Sequence, residues 1–510
     1  MAAERAAPGG AGLAVWSAAV VLAIAAPWLS PVSWGPTPEM VQRLLSAGCA
    51  AVLLVALVGW SPRIDRHTLA SGIANAWLLA ALLSAVLGLL QYFGAEGLLP
   101  AHWVNASTPG QAYANLRQRN QFASLTSLGL VALLYLVTAH TPDHNHTRTR
   151  THTLALILAL ALLALGNATS SSRTGVLQWV GLVVLAWLWG RQKPGPLLRW
   201  SLQALGLYVV AMLVLPVLLQ TQSGIGGGNA LTRFQEHIGC ESRPVLWRNV
   251  LELTAQQPWL GWGWGELKFA HFIYPYDGER FCAIVDNAHN LPLHLAVTLG
   301  VPLALLLCGA LLAALWWAKP WREKEATRRL AWAGLVVIGI HSLLEYPLWY
   351  SPFQMAVALC LWLLWRTRAP STYQVNEPIA MRLTVTGTLA ACTLALVAYA
   401  GWDYWRVGQL YLPPASRDEA YRDDTLDKVR GSWLFHDEVQ FAYVTTTTPT
   451  PENAAALYAA ALQTLHFSPE PKVIAPLLAS AGLLGPPSAT VQHIRARWRV
   501  VYGSTVNTPD

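Results

Sequence analysis

Charge is what this sequence has least of. Only 12% of its 510 residues are Asp, Glu, Lys or Arg, while 54% are hydrophobic. A soluble chain carries about 25% charged residues, so a soluble globular protein is excluded. Acidic residues are fewer than basic ones, and the net charge is +7. That excess does not point to nucleic acid, because the basic residues are scattered among short polar connections, as membrane topology requires. Cysteine is scarce as well. Cys49, Cys308, Cys360 and Cys392 lie inside apolar runs and read as buried packing residues. Cys240 and Cys282 lie in a polar segment, where they are either a disulfide pair in an oxidising compartment or two free thiols. No Lys-Ser/Thr pair follows Gly261-Trp262-Gly263-Trp264-Gly265, which excludes a Walker-type phosphate loop. His289 and His294 have no suitably spaced third ligand, so no metal site is expected. Internal repeats and mid-run charges are lacking too, which argues against a secondary transporter.

What is abundant is membrane-length apolar sequence. About eleven spans are expected, at 12–30, 41–60, 69–92, 121–139, 153–167, 175–190, 200–220, 290–317, 330–345, 353–365 and 380–401. The first has no clean cleavage site behind it and reads as a retained helix rather than a signal peptide. Alternate connections carry the cations: Arg63 and Arg66; Arg148 and Arg150; Arg191, Lys193 and Arg199; Lys319 to Arg329; Arg366, Arg368 and Arg382. The positive-inside rule makes these cytoplasmic and puts the remaining connections outside, in the periplasm if the membrane is a bacterial inner membrane. The expected fold is therefore an all-α polytopic membrane protein. Residues 1–401 form its transmembrane domain, with one large periplasmic loop at 222–290 between spans 7 and 8. Residues 402–510 form a small helical periplasmic domain, in which Ala454 to Leu465 reads as a helix.

The polar chemistry is concentrated outside. Arg117, Arg119, Arg173, Arg233, Arg243, Arg248, Lys268 and Arg280 all lie on the side that disfavours cations. Arginine's planar fork suits phosphate oxygens. The bland alternative is pairing with Glu236, Glu241, Glu252, Asp277 or Glu279, or contact with lipid headgroups. His289 stands where the large loop re-enters the membrane and is a candidate general base; the bland alternative is a helix-end cap. The Gly-Trp segment around Trp264 suits an interfacial turn, and indole faces also stack on sugars. Glu345, ahead of a Pro turn, either orients a catalytic group or caps that turn.

Six segments in order carry a resemblance. They are Asn115-Leu116-Arg117-Gln118-Arg119-Asn120-Gln121-Phe122-Ala123, Ser171-Ser172-Arg173-Thr174-Gly175, Ser242-Arg243-Pro244-Val245-Leu246-Trp247, Gly261 to Gly265, His289-Asn290 before a long helix, and His341 to Tyr350 with its Glu-Tyr-Pro-Leu-Trp-Tyr core. Together they resemble the bacterial protein O-oligosaccharyltransferases of the PglL type, within the O-antigen ligase/polymerase superfamily. The resemblance implies transfer of a preassembled glycan from undecaprenyl pyrophosphate to Ser/Thr hydroxyls of periplasmic or pilin-like proteins. It implies no cofactor, metal or nucleotide sugar. His289 would correspond to the essential loop histidine, and Arg173 and Arg243 to the pyrophosphate-binding arginines. Gln118, Asn120, Asn290, Glu345 and Trp264 would orient the sugar or the histidine. Gln121 stands where many relatives carry a His. An O-antigen ligase or polymerase using the same donor is the alternative.

Overall fold

The computed structural model describes residues 10–59, 64–139, 150–191, 195–224, 239–368 and 379–503. Arg63, Arg148, Lys193, Arg233 and Glu236 lie outside the described residues. Within them every regular element is helical. In chain order these are α1 (Gly10–Leu29), α2 (Glu39–Leu53, continued as a π-helix over Leu54–Gly59), α3 (Arg66–Tyr92), α4 (Arg119–Ala139), α5 (Arg150–Thr169), α6 (Arg173–Gly190) and α7 (Pro196–Ser223). There follow α8 (Arg243–Gln256), α9 (Leu267–Ile273), α10 (Leu291–Leu299), α11 (Val301–Ala318), α12 (Ala326–Ser342), α13 (Ser351–Arg366) and α14 (Ile379–Gly408). The tail holds α15 (Thr425–Val429), α16 (His436–Thr446), α17 (Ala454–Phe467), α18 (Pro471–Leu484) and α19 (Ala489–Tyr502).

Among the described residues seven helical stretches are long and apolar enough to cross a membrane, which makes this a multi-pass membrane protein. They correspond to α1, α2 with its π-helix, α3, α4, α7, α11 and α14. Four more of the expected spans are helices that fall short by length or composition. The apolar part of α5 begins only at Thr153; α6 opens on Arg173 and carries Gln178; α12 and α13 have 17 and 16 residues.

The stretch expected as one span at 290–317 is instead broken at Gly300, between α10 and α11. The reason is local. Gly300 has φ 87°, and a Cβ there would stand 2.1 Å from the Trp259 carbonyl oxygen. Trp262 N donates to Val297 O (2.9 Å), Gly263 N to Thr298 O (3.0 Å) and Val301 N to Pro258 O (2.8 Å). The backbone of 258–263 is thus laid against the break, and the carbonyls freed there are satisfied by it.

The chain divides into two compact units. One comprises residues up to Ser33, Glu39–His237 and Leu315–Val397; the other comprises Trp34–Pro38, Ile238–Ala314 and the chain from Ala398 onward. In the first, α4 packs against α3, α5, α6 and α12, and 83% of its span is buried. The span beginning at Val301 is only 6% buried; an apolar helix exposed on all sides is one clothed by lipid.

In the second unit α16 to α19 enclose a core built on Leu457, Leu477 and Trp498. The helix expected at Ala454 to Leu465 is α17. Phe272 of α9 belongs to that same core, and Arg497 donates to the carbonyls of Phe272 (3.3 Å) and Tyr274 (2.7 Å). The tail and the polar segment ahead of α10 therefore share one hydrophobic interior.

Of the four cysteines outside the polar segment, only Cys360 is buried; Cys49 and Cys308 are half-buried and Cys392 is exposed. An apolar run in a membrane packs against lipid on one face, so membership in the run did not imply burial.

Candidate functional site

The candidate residues fall into two groups, one in each unit. In the first unit the tight turn between α5 and α6 holds Ser171 at φ 49°, a conformation costing about 1–2 kcal/mol for a residue with a Cβ. Ser172 follows as the N-cap of α6, its hydroxyl accepting from Gly175 N (3.2 Å). Gly175 has no room for a side chain, since a Cβ would lie 2.4 Å from Asn167 Oδ1. Arg173 is the first residue of α6. The helix macrodipole repels a cation at that position and attracts an anion. An arginine at a helix N-terminus makes an anion-accepting end.

The cap is itself held. Ser172 Oγ donates to Asn120 Oδ1 (2.6 Å), and Asn120 Nδ2 donates to Glu345 Oε1 (3.1 Å). A primary amide can accept on one side and donate on the other, so Asn120 at the start of α4 ties the α6 turn to the α12 end. Glu345 is only 5% exposed, and its backbone N donates to His341 O (2.8 Å). Gln118 accepts from Gln121 N (2.7 Å) and closes the first turn of α4; its side chain serves the helix end.

Beneath this cluster runs a buried polar network that the sequence reading did not find. His341 Nδ1 and Ser124 Oγ are 2.8 Å apart. Gln178 Nε2 donates to Ser124 Oγ (2.6 Å) and to Val337 O (3.0 Å), while Ser127 Oγ donates to Gln178 Oε1 (3.0 Å). The signal was present as Asn120, Ser124 and Ser127, a polar stripe at four- and three-residue spacing on an apolar helix.

In the second unit Cys240 and Cys282 are joined by a disulfide, with Cα atoms 5.4 Å apart. Arg243 opens α8 behind Ser242 at the N-cap, with Pro244 next. Both arginines singled out in the sequence thus occupy the first position of a helix behind a serine. Asn249 of α8 donates to Glu279 O (3.1 Å) and accepts from Phe281 N (2.7 Å), which fixes the chain leading into the second cysteine.

His289 is half-buried and has φ 50°, again the left-handed region. Its backbone N donates to Asn287 Oδ1 (2.9 Å), and Trp247 Nε1 donates to Ala288 O (3.1 Å). Strain of this kind persists where surroundings over-determine it, commonly at functional sites. Asn290 is the N-cap of α10, accepting from Leu293 N (3.1 Å). His294 is buried, and its Nδ1 accepts from Ala288 N (3.4 Å). Trp264 is 60% exposed and meets the His294 ring edge-on with centroids 5.7 Å apart.

His271 is a further histidine that sequence reasoning passed over. It lies buried with Nε2 against Phe281 O (3.0 Å) and Nδ1 against the Tyr276 hydroxyl (2.8 Å). Burial, and then the nearby Arg280 charge, push its pKa down to about 3. Both nitrogens are satisfied by a neutral ring, so the residue is structural.

Several of the cations expected outside have structural partners. Arg117 donates to Pro31 O and Asn105 Oδ1 (3.3 Å each). Arg248 donates to Glu279 O (3.0 Å), Arg280 to His271 O (3.0 Å), and Lys268 lies over the Phe467 ring (5.4 Å). Arg248 also lies 4.0 Å from Glu252, one of the carboxylates of the bland alternative; the partners named for Arg117, Arg280 and Lys268 are carbonyl and amide oxygens and a ring face instead. Among the described residues no three His, Cys, Asp or Glu side chains gather as metal ligands would.

Comparison with known proteins gives three family matches in chain order. Residues 112–137 match the protein glycosylation ligase model, 154–308 the O-antigen ligase model, and 329–506 the model described as virulence factor membrane-bound polymerase, C-terminal. A curated relative is the general O-oligosaccharyltransferase of Acinetobacter baylyi. It is 24% identical over 405 residues, which cover 77% of this chain and 67% of that protein. No solved structure matches. These matches bear out the resemblance drawn from the six motifs.

Proposed function

We propose, from the likeness to the PglL-type enzymes of the O-antigen ligase superfamily, that this protein is a protein O-oligosaccharyltransferase. It moves a preassembled glycan en bloc from undecaprenyl pyrophosphate to Ser/Thr hydroxyls of periplasmic or pilin-like proteins. One observation carries the reading: the segment matching the protein glycosylation ligase model contains Asn120, the residue that links the Ser172-Arg173 turn to buried Glu345.

In this mechanism His289 takes the proton of the acceptor hydroxyl as its oxygen attacks the anomeric carbon with inversion. The bond from that carbon to the phosphate oxygen breaks, and the electron pair leaves with the pyrophosphate. Arg173 and Arg243, each reinforced by a helix N-terminus, neutralise the charge that develops on the leaving group. With the charge held in this way no metal is needed for the step. Asn120 and Glu345 hold the Arg173 turn, Asn290 holds the His289 loop, and exposed Trp264 stacks on sugar.

The proposed topology has eleven spans in a bacterial inner membrane. The loop 222–290 and the domain 402–510 lie in the periplasm, the domain docking acceptor proteins. The Cys240–Cys282 bond supports that side, because disulfides persist in the periplasm and not in the cytosol. An O-antigen ligase or polymerase remains the second reading, favoured by the matches at 154–308 and 329–506.

The test is co-expression with a lipid-linked oligosaccharide pathway and a periplasmic pilin-like acceptor. A glycan-sized mass shift on an acceptor Ser that disappears with His289→Ala is expected. A capped core or a ladder in lipopolysaccharide, with unmodified acceptor, transfers the assignment to the second reading.

A further inference from the structure

The first unit carries a groove of about 500 Å³ between α2 and α13 that the chemistry above does not use. Its ends differ. At one end stand Arg43, Ser46, Ser351 and Gln354; Ser351 Oγ donates to Ser46 Oγ (2.9 Å), pinning the two helices together there. Onward from that end the lining is apolar. Ala50 on one wall and Ala358 on the other leave the groove its width, and Trp362 lies toward its far end. There α2 changes from α to π winding over Leu54–Gly59, an irregularity that single-turn π segments commonly mark at functional sites.

From Arg43 to Val58 the wall is about 22 Å long at 1.5 Å per residue, most of the thickness of a hydrocarbon core of about 30 Å. The groove is long and narrow enough to take an extended hydrocarbon chain along the helices. The polar end is also next to the candidate site in the chain. Ser351 opens α13 six residues after Glu345, with only the turn through Tyr350 between them.

We propose that this groove holds the isoprenoid chain of the lipid-linked donor, with Arg43 facing the carrier's anionic end. The inference rests on the donor class of the proposed function. A chain lying here would present its head at the Glu345 end of the unit, where the Arg43 guanidinium suits the pyrophosphate of a lipid-linked carrier. Arg43 is available for that contact. Its pairing with Glu39 is long, 3.8 Å, with both side chains nearly half exposed, and such surface pairs contribute little. A phosphate offers it a stronger charge-assisted partner.

The test uses the full chain in phosphatidylcholine nanodiscs with a polyprenyl pyrophosphate oligosaccharide carrying a photoreactive group in its chain. Cross-linked peptides are mapped by mass spectrometry. Saturable labelling is expected within 43–58 and 351–362. Ala50→Trp and Ala358→Trp, which fill the groove, should abolish it and raise the donor KM about 10-fold or more, with acceptor KM unchanged. Leu312→Trp, on the exposed face of α11, should do neither. Labelling of other helices with transfer intact overturns the groove assignment alone. So does equal labelling of the groove by a photoreactive phospholipid in the presence of saturating donor. The absence of saturable labelling anywhere overturns the groove and the lipid-linked donor together.

Discussion

Asn120→Ala should cost this protein activity without costing it its fold, and the size of the loss follows from two hydrogen bonds. Asn120 Nδ2 donates to Glu345 Oε1 at 3.1 Å, and Glu345 is only 5% exposed. With the amide gone, little water reaches that oxygen. A hydrogen bond to a charged acceptor contributes about 1.5–3 kcal/mol, which at 1.36 kcal/mol per decade is about 10- to 150-fold in rate if the turn's position is expressed in the transition state. Ser172→Ala removes a neutral bond to Asn120, about 0.5–1.5 kcal/mol, and so about 2- to 13-fold. The assay is glycan transfer in proteoliposomes at saturating acceptor, run as a double-mutant cycle of Asn120→Ala with Glu345→Gln. Because the two side chains touch, their effects should be non-additive by at least about 0.5 kcal/mol. Thermal denaturation of each variant in detergent separates positioning from unfolding. Strict additivity, or wild-type rates in Asn120→Ala at normal expression, would refute the idea that this amide positions the Arg173 turn.

Other expectations follow from the second unit. Cys240→Ser, or reduction, opens a loop spanning a separation of 42 residues, and chain-entropy reasoning puts the loss near 4 kcal/mol; limited proteolysis with and without reductant should show faster cleavage between 240 and 290, and unchanged protection would count against it. His271 has a folded pKa of about 3 against about 6.5 unfolded. The unfolded chain therefore binds the extra proton below pH 6.5, and stability is lost as pH falls from there toward 3. Between pH 7 and pH 5 the loss should be about 2 kcal/mol, visible in denaturant midpoints and abolished by His271→Gln in the slope, whatever that variant does to the absolute value. Gly300→Ala places a Cβ 2.1 Å from the Trp259 carbonyl; the backbone bonds joining 258–263 to the helix break should open, lowering the melting temperature and raising hydrogen exchange at Trp262 and Gly263. An unchanged exchange pattern there would mean that Gly300 is not what the clasp depends on.

Composition and periodicity made the membrane class legible, because a helix in hydrocarbon satisfies its own backbone and leaves apolar residues as its only outward requirement. Ten of the eleven expected stretches are each a helix for that reason, and the eleventh, 290–317, is two helices parted at Gly300. The break at Gly300 was not legible: a lone glycine in an apolar run reads as a tolerated residue until the Trp259 carbonyl is seen pressed against it. Short motifs made His289, Arg173 and Arg243 candidates, because each sits in a local turn whose residues are neighbours in sequence.

The sequence by itself determined the membrane-spanning class, the concentration of polar chemistry at a few turns, and the family likeness those turns carry. Only tertiary structure joined residues 120, 172 and 345 through one amide, brought Ser124, Gln178 and His341 into a buried chain, and put Phe272 of the polar segment inside the core of the tail. Periodicity reports which face of a helix is apolar, which is a property of neighbours three and four apart. Which polar side chain meets which across 52 or 225 residues depends on how the helices pack.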